Sequence, residues 1–462
     1  MAGPIFAAAL LASVLTASAP AAAAATGCGG TGAVATTTGT LPDGASYKIE
    51  CPAGAWNGSL FLYSHGYVTP GAPNPAQDAG DPVTAGWLLG HGFALAGSSY
   101  AGTGWAIQQA LPDQIGTLDA FGQAFGPPAR TIAWGHSLGG IITAGLIQRY
   151  PDRFTGALPM CGVLSGGVAT WNTALDAAFA FQQLVDPSVQ IVHIADPAAN
   201  LGGAEAAASA AQQTPQGRAR LALAAALGDT PGWFTTGSPE PAPGDFAAQE
   251  ANQFQWDSQV DFPFIFAFRA ELEARAGGNP SWNTGVNYAS DLAKSAGLRE
   301  VVALYRAAGL SLQQDLATLG RASRVSADPA AARYLERNIT FDGKLPVPVL
   351  TLHTTGDGLV VPENEQAYRS VVNQAGDGAL LRQAFVHRAG HCAFTPAETV
   401  AAVRVLLNRL DTGRWDQAAL GPASLNQQAA ALGPGFNPLP PAFEQFSPPQ
   451  YLRPFDLGDP VP

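Results

Sequence analysis

Basic runs are missing from this 462-residue chain, and charge of either sign is scarce at 13%. Without a basic run, and with a formal net charge of −12, nucleic acids and anionic lipids are excluded as natural partners. C-x-x-C pairs are also missing, which argues against a zinc or dithiol redox centre. No metal or cofactor is expected. After the first 25 residues no stretch is long and apolar enough to cross a bilayer. Hydrophobic residues make up 47% of the chain, ample for a large buried core and incompatible with disorder.

The apolar stretch from Ile5 to Ala25 reads as a cleaved export signal over residues 1–25, with Ala23 and Ala25 as an A-x-A-like site before Thr26. No Lys or Arg precedes it, and a retained membrane anchor is the competing reading. Cleavage is favoured because alanine makes the stretch weakly apolar. The expected location is secreted or extracytoplasmic. A lipid anchor on Cys28 ("ATGC") is a minor alternative, weakened by alanine at the −3 position. Four cysteines, Cys28, Cys51, Cys161 and Cys392, allow three pairings. In an exported chain the expectation is Cys28 with Cys51 and Cys161 with Cys392. A geometric obstacle stands against the second pair. Its two strands would normally have another between them, roughly 9–10 Å in total, whereas a disulfide needs Cα atoms within about 7 Å.

Residues 26–59 form an N-terminal segment. From residue 60 to 164, short apolar runs alternate with helical spacing: "SLFLYSHGY", "GFALAGSSY", "RTIAWGHS" and "GALPMCGVL" read as strands. The alternation resumes from 339 to 414, with "VPVLTLHTTGD" and "LLRQAFVHRAG" as strands. Strands alternating with helices predict an α/β fold, a mostly parallel sheet covered by helices on both faces. Between these parts, residues 165–338 are alanine-rich and aromatic-rich without strand-helix units, predicting a large, mainly helical insertion. The proline-rich remainder, 415–462, reads as an extended tail on the surface.

"WGHSLGG" holds Gly135-x-Ser137-x-Gly139. With 53 glycines in the chain the bare motif proves little. Its position, where a strand meets a helix, predicts a tight turn that lifts the Ser137 hydroxyl above the sheet. Such a hydroxyl needs a general base and an acid to orient it. Asp357 and His391 follow in the required order, each at the C-terminal end of a predicted strand. His387, inside its strand, is the rival base, and Glu363 and Glu365, expected on a water-facing helix, are fallback acids. The Leu138 backbone N–H and that of Tyr67, in "HGY", are the candidate oxyanion donors.

The ordered set "HGY", "GHSLGG", "TTGDGLV" and "AGHCAF" resembles the α/β-hydrolase superfamily, and more narrowly exported actinobacterial serine hydrolases with a helical cap. The resemblance implies Ser137 as nucleophile, His391 as base, Asp357 as acid and the insertion as a cap over the site. "HGY" departs from the "HGGG" signature of many lipases, so their acyl-pocket details do not transfer.

The insertion says least. "DFPFIFAF" alternates, and its phenylalanines read either as core or as pocket lining. Trp87, Tyr100 and Trp105 are candidates for the pocket floor. With no Lys or Arg cluster, a neutral, apolar small-molecule or polymer ester is the expected substrate, making the chain a carboxylic-ester hydrolase. Two alternatives stand beside it. One is a serine peptidase of the prolyl-aminopeptidase type, with Glu271, Glu273 or Asp257 receiving a free amine. The other is a non-catalytic binding protein on the same fold.

Overall fold

The computed structural model describes residues 27–461 together with Met1 and Gly3, so the stretch read as an export signal lies outside the described residues. Nine strands form one sheet: β1 (Ala35–Thr40), β2 (Ser46–Cys51), β3 (Ser59–Ser64), β4 (Ala94–Ser98), β5 (Arg130–His136), β6 (Gly156–Met160), β7 (Val349–Gly356), β8 (Leu381–Ala389) and β9 (Phe443–Glu444). Their order across the sheet is β1-β2-β4-β3-β5-β6-β7-β8-β9. Strands β3 to β8 run parallel, while β1, β2 and β9 are antiparallel additions. β3, β4 and β6 are buried at every position, as expected of strands covered on both faces. On one face lie the helices Ile107–Phe125 and Leu138–Arg149, and on the other Pro396–Thr412. This is an α/β-hydrolase fold.

Between β6 and β7 the chain is helical, with its own core around Phe179, Phe181, Leu223, Phe266 and Tyr305. Alanine favours these helices intrinsically. Their starts are set by local chemistry: Asp196 accepts from Ala199 N–H and Thr214 from Gly217 N–H, each just before a proline at the first helical position. The alternating "DFPFIFAF" run is helical too. Two π-helical turns, Asp257–Asp261 and Phe264–Phe268, interrupt it and divide its aromatics. Phe262 and Phe266 enter the insertion's core, whereas Phe264 and Phe268 pack on Tyr67.

Two elements depart from expectation. The N-terminal segment adds β1 and β2 to the sheet edge. The tail does more than lie along the surface: β9 pairs with β8, and Tyr451, Leu452 and Phe455 are buried. Arg453 forms an ion pair with Asp176 of the insertion. The prolines keep this segment extended, but its interspersed apolar side chains supply the burial that anchors it.

Candidate active site

Ser137 stands between β5 and the helix Leu138–Arg149 with φ 58° and ψ −123°, a region costly for any residue with a side chain. Both flanking glycines are required sterically. A Cβ at Gly135 or at Gly139 would run into the Ser64 carbonyl oxygen. The turn is held by Ser137 N–H donating to Met160 O at 3.0 Å. Leu138 is the first residue of its helix, so its N–H has no intrahelical acceptor.

Asp357 follows β7 and is fully buried. Its Oδ1 accepts from the N–H groups of Leu359 and Val360 at 3.1 and 3.0 Å. Its Oδ2 lies 2.7 Å from Nδ1 of His391. That hydrogen bond leaves Nε2 of a neutral His391 as a bare acceptor. Nε2 is 3.4 Å from Cys392 Sγ, a disulfide sulfur with no proton to donate, so its lone pair remains free. Ser137 and His391 line the same cavity of ≈ 340 Å³.

The sulfurs of Cys161 and Cys392 are bonded, as are those of Cys28 and Cys51, with Cα separations of 5.3 Å in both pairs. β7 does lie between β6 and β8. The two loops converge above it because Cys161 and Cys392 both turn sharply, with φ 42° and 53°. The disulfide therefore fixes the residue after His391 to the end of β6. The ligand atoms of Cys161, His391 and Cys392 lie within 4.8 Å of one another, but both sulfurs are used in the disulfide and neither is a thiolate. Bonded to Cys51, Cys28 has no free thiol for a lipid.

The "HGY" turn is built from beneath. His65 is buried, with Nδ1 2.7 Å from the carbonyl oxygen of Gly66 and Nε2 3.2 Å from that of Ser99. It stacks on Tyr100 at 4.0 Å, and Tyr100 Oη donates to His65 O. Burial holds the His65 pKa below the ordinary value. Gly66 lies so close to Ser137 that a Cβ there would sit 3.3 Å from the serine Cβ. Tyr67 lines the cavity. Among the described residues its N–H has no acceptor.

Of the candidate floor residues, Trp105 lines the cavity, Tyr100 supports the turn below it, and Trp87 lies elsewhere, against Arg404. Phe264 is the one phenylalanine of "DFPFIFAF" among the lining residues. The proposed amine receptors separate in the same way. Glu271 is paired with Arg275 and Glu273 with Arg269, whereas Asp257 lines the cavity. His387 is partly exposed, 3.1 Å from Glu444, and takes no part in the site.

Glu363 and Glu365 do not face water: they are 5% and 0% exposed. Their helix packs its first turn inward, beneath the Asp357 loop. Glu365 accepts from Thr351 and sits 3.1 Å from His353 Nδ1, while His353 Nε2 is 2.7 Å from Val360 O. Burial opposes charge on His353, but Glu365 and Asp357 outweigh it and raise its pKa. Protonated, His353 donates both ways and holds the loop that carries Asp357. "LTLH", a histidine in a buried strand, was the only sequence signal for it.

Sequence reasoning also missed Asp261. It and Asp257 are one turn apart, each 9% exposed, at the insertion side of the cavity. Burial, then the Glu250 charge, pushes Asp257 up to about 7. Burial, then the charges of Asp257 and Asp357, raises Asp261 well above the carboxylate range. Among the described residues no Lys or Arg lines the cavity.

With that geometry in place, comparison with known proteins adds a relative. The chain is 31% identical over 451 residues to o-phthalyl amidase of Xanthobacter agilis, covering 90% of this chain and 95% of that protein. The chain belongs to the family of that amidase. It is a hydrolase of α/β-hydrolase fold. No protein-family signature matches the chain. Among solved structures, it is similar to LipA, a rice cell wall degrading esterase from Xanthomonas oryzae, at 14% identity and a TM-score of 0.39, covering 82% of this chain and 90% of that one. It is likewise similar to feruloyl esterase B from Aspergillus oryzae, at 13% identity and a TM-score of 0.39, covering 83% and 82%. At that distance neither esterase informs the family's substrate.

Proposed function

We propose that the chain is an extracytoplasmic serine hydrolase that cleaves amides of aromatic carboxylic acids through Ser137, His391 and Asp357. The observation that carries this reading is the 2.7 Å His391–Asp357 hydrogen bond in the same cavity as the sharply turned Ser137. Ser137 Oγ attacks the acyl carbon while its proton passes to His391 Nε2. The oxyanion is received by Leu138 and Tyr67 N–H. His391 returns the proton to the leaving amine, and the acyl group remains as an ester on Ser137. Water then attacks that ester, giving its proton to His391, and the acid leaves as Ser137 Oγ recovers the proton.

The insertion acts as the cap that selects the substrate. Tyr67, Trp105, Trp171 and Phe264 give the cavity aromatic walls, which suit a flat acyl group. The family relative, named for an amidase activity, supports an amide bond. Carboxylic esters remain the second reading, because the same groups would cleave a better leaving group at least as readily. Two disulfides support an oxidising, extracytoplasmic location, and among the described residues no helix is long and apolar enough to cross a membrane.

The test is a substrate panel on the purified full chain: o-phthalyl anilides, p-nitrophenyl esters and aminoacyl-nitroanilides, with Ser137→Ala as control. Turnover of the aryl amide lost in Ser137→Ala is the expected result. Turnover of esters alone would favour the second reading. Aminoacyl-nitroanilide turnover without the other two would return the chain to the peptidase alternative.

A further inference from the structure

A second cavity, ≈ 240 Å³, lies under the insertion, away from Ser137. Five of the residues that line it each carry a buried side-chain oxygen with no hydrogen-bond partner among the described residues: Asp229 Oδ2, Gln253 Oε1, Glu300 Oε1, Thr355 Oγ1 and Glu363 Oε2. Gln253, Glu300 and Glu363 are 3%, 4% and 5% exposed. Four of these oxygens can only accept in their ordinary ionisation state. No Lys or Arg lines the cavity among the described residues. Burial raises the pKa of both Asp229 and Glu363, and the Glu363 charge raises Asp229 further. Buried acceptors of this kind call for a donor: a proton, a water or a cation.

We propose that Asp229, Glu363 and Thr355, which line this one cavity, form a binding site for a hard divalent cation of the Ca²⁺ class. The ligand chemistry favours that class. Carboxylate, hydroxyl and amide oxygens are hard donors, and no sulfur or imidazole lines the cavity. Mixed donors from separate elements suit the irregular coordination of Ca²⁺ better than the strict octahedron of Mg²⁺. Gln253 and Glu300 stand on the insertion side, on the helices Phe246–Trp256 and Leu298–Ala308, and complete the oxygen lining.

The site would join three parts of the chain. Asp229 follows the helix Pro215–Leu227 of the insertion, Thr355 belongs to β7, and Glu363 opens the helix after the Asp357 loop. A bound cation would clamp the insertion to the loop that carries Asp357. It lies outside the proposed chemistry, so its role is to hold the substrate cavity together.

The experiment uses the full disulfide-bonded chain, stripped with chelator. Its thermal midpoint and its heat of binding are measured on titration with CaCl₂, MgCl₂, or NaCl at matched ionic strength. The account expects CaCl₂ to raise the midpoint by several degrees, saturating with a Kd of about 10⁻⁴–10⁻³ M, and MgCl₂ to do less. Asp229→Asn and Glu363→Gln, each isosteric with the neutral acid, should both lose the shift and the heat. Equal midpoints in CaCl₂ and NaCl would overturn the site, as would an undiminished Ca²⁺ response in either variant. A Mg²⁺ response matching that of Ca²⁺ would overturn the assignment to the Ca²⁺ class.

Discussion

The sheet and the insertion place side chains around the same cavity by different rules. The parallel strands deliver theirs by register. β3 and β5 are neighbours, as are β7 and β8, with β6 between the two pairs, so Tyr67 and Ser137 share a cavity with His391 and its partner Asp357 although more than 200 residues separate Ser137 from Asp357. The insertion delivers Asp257, Asp261 and Phe264 from one helical run whose face is set by two π-helical turns and by packing against Tyr67. Chemistry should therefore depend on the strand ends, and selectivity on the insertion.

The sharpest break in that comparison would come from Ser137→Ala. It should lower kcat by about 10⁴-fold or more while leaving circular dichroism and the thermal midpoint near wild type. Asp357→Asn should follow, at about 10³–10⁴-fold in kcat, because the amide would present the wrong partner to His391 Nδ1. Steady-state kinetics on one aryl amide check both.

Joint replacement of Cys161 and Cys392 by alanine tests the strut beside the base. The disulfide closes a sequence separation of 231 residues, so chemical denaturation should show a loss of about 2–5 kcal/mol. Activity should fall beyond what unfolding explains, since the His391 loop loses its anchor.

Phe264→Ala, on the insertion, should raise KM by about tenfold with kcat nearly unchanged. Equal losses in kcat and kcat/KM would erase the proposed division of labour. The smallest effect concerns Asp257, and its sign is fixed. A carboxyl whose folded pKa is about 7 against an ordinary 3.8 keeps its proton in the folded state longer than in the unfolded one. Stability then falls as pH rises from about 4 to 7. Asp257→Asn should remove part of that decline and raise stability at pH 8 by on the order of 1–3 kcal/mol, measured as unfolding midpoints across pH.

The same contrast explains what could be read in the sequence. Strand ends are legible because a buried parallel strand is a short apolar run, and the residue that follows it has one place to go. "WGHSLGG" and "RAGHCAF" each announce such an end. Even the disulfide, improbable by strand spacing, needed only two sharp turns at Cys161 and Cys392. The pocket was not legible, because "DFPFIFAF" has the period of a strand and folds as a helix. Only packing decides that Phe264 lines the cavity and Phe266 does not. Glu363 and Glu365 failed for a related reason: a helix full of polar residues reads as a surface helix, yet its first turn faces inward to His353 and the second cavity. The tail misled through its prolines, which hid the aromatic anchors at Tyr451 and Phe455.

The central claim is that Ser137 is the nucleophile and that His391 activates it. A fluorophosphonate probe, followed by peptide mapping of the labelled chain, tests it most directly. The account predicts one label, on Ser137, absent in Ser137→Ala and formed at least a hundredfold more slowly in His391→Ala. Labelling at another residue, or at an unchanged rate in the His391 variant, would contradict it.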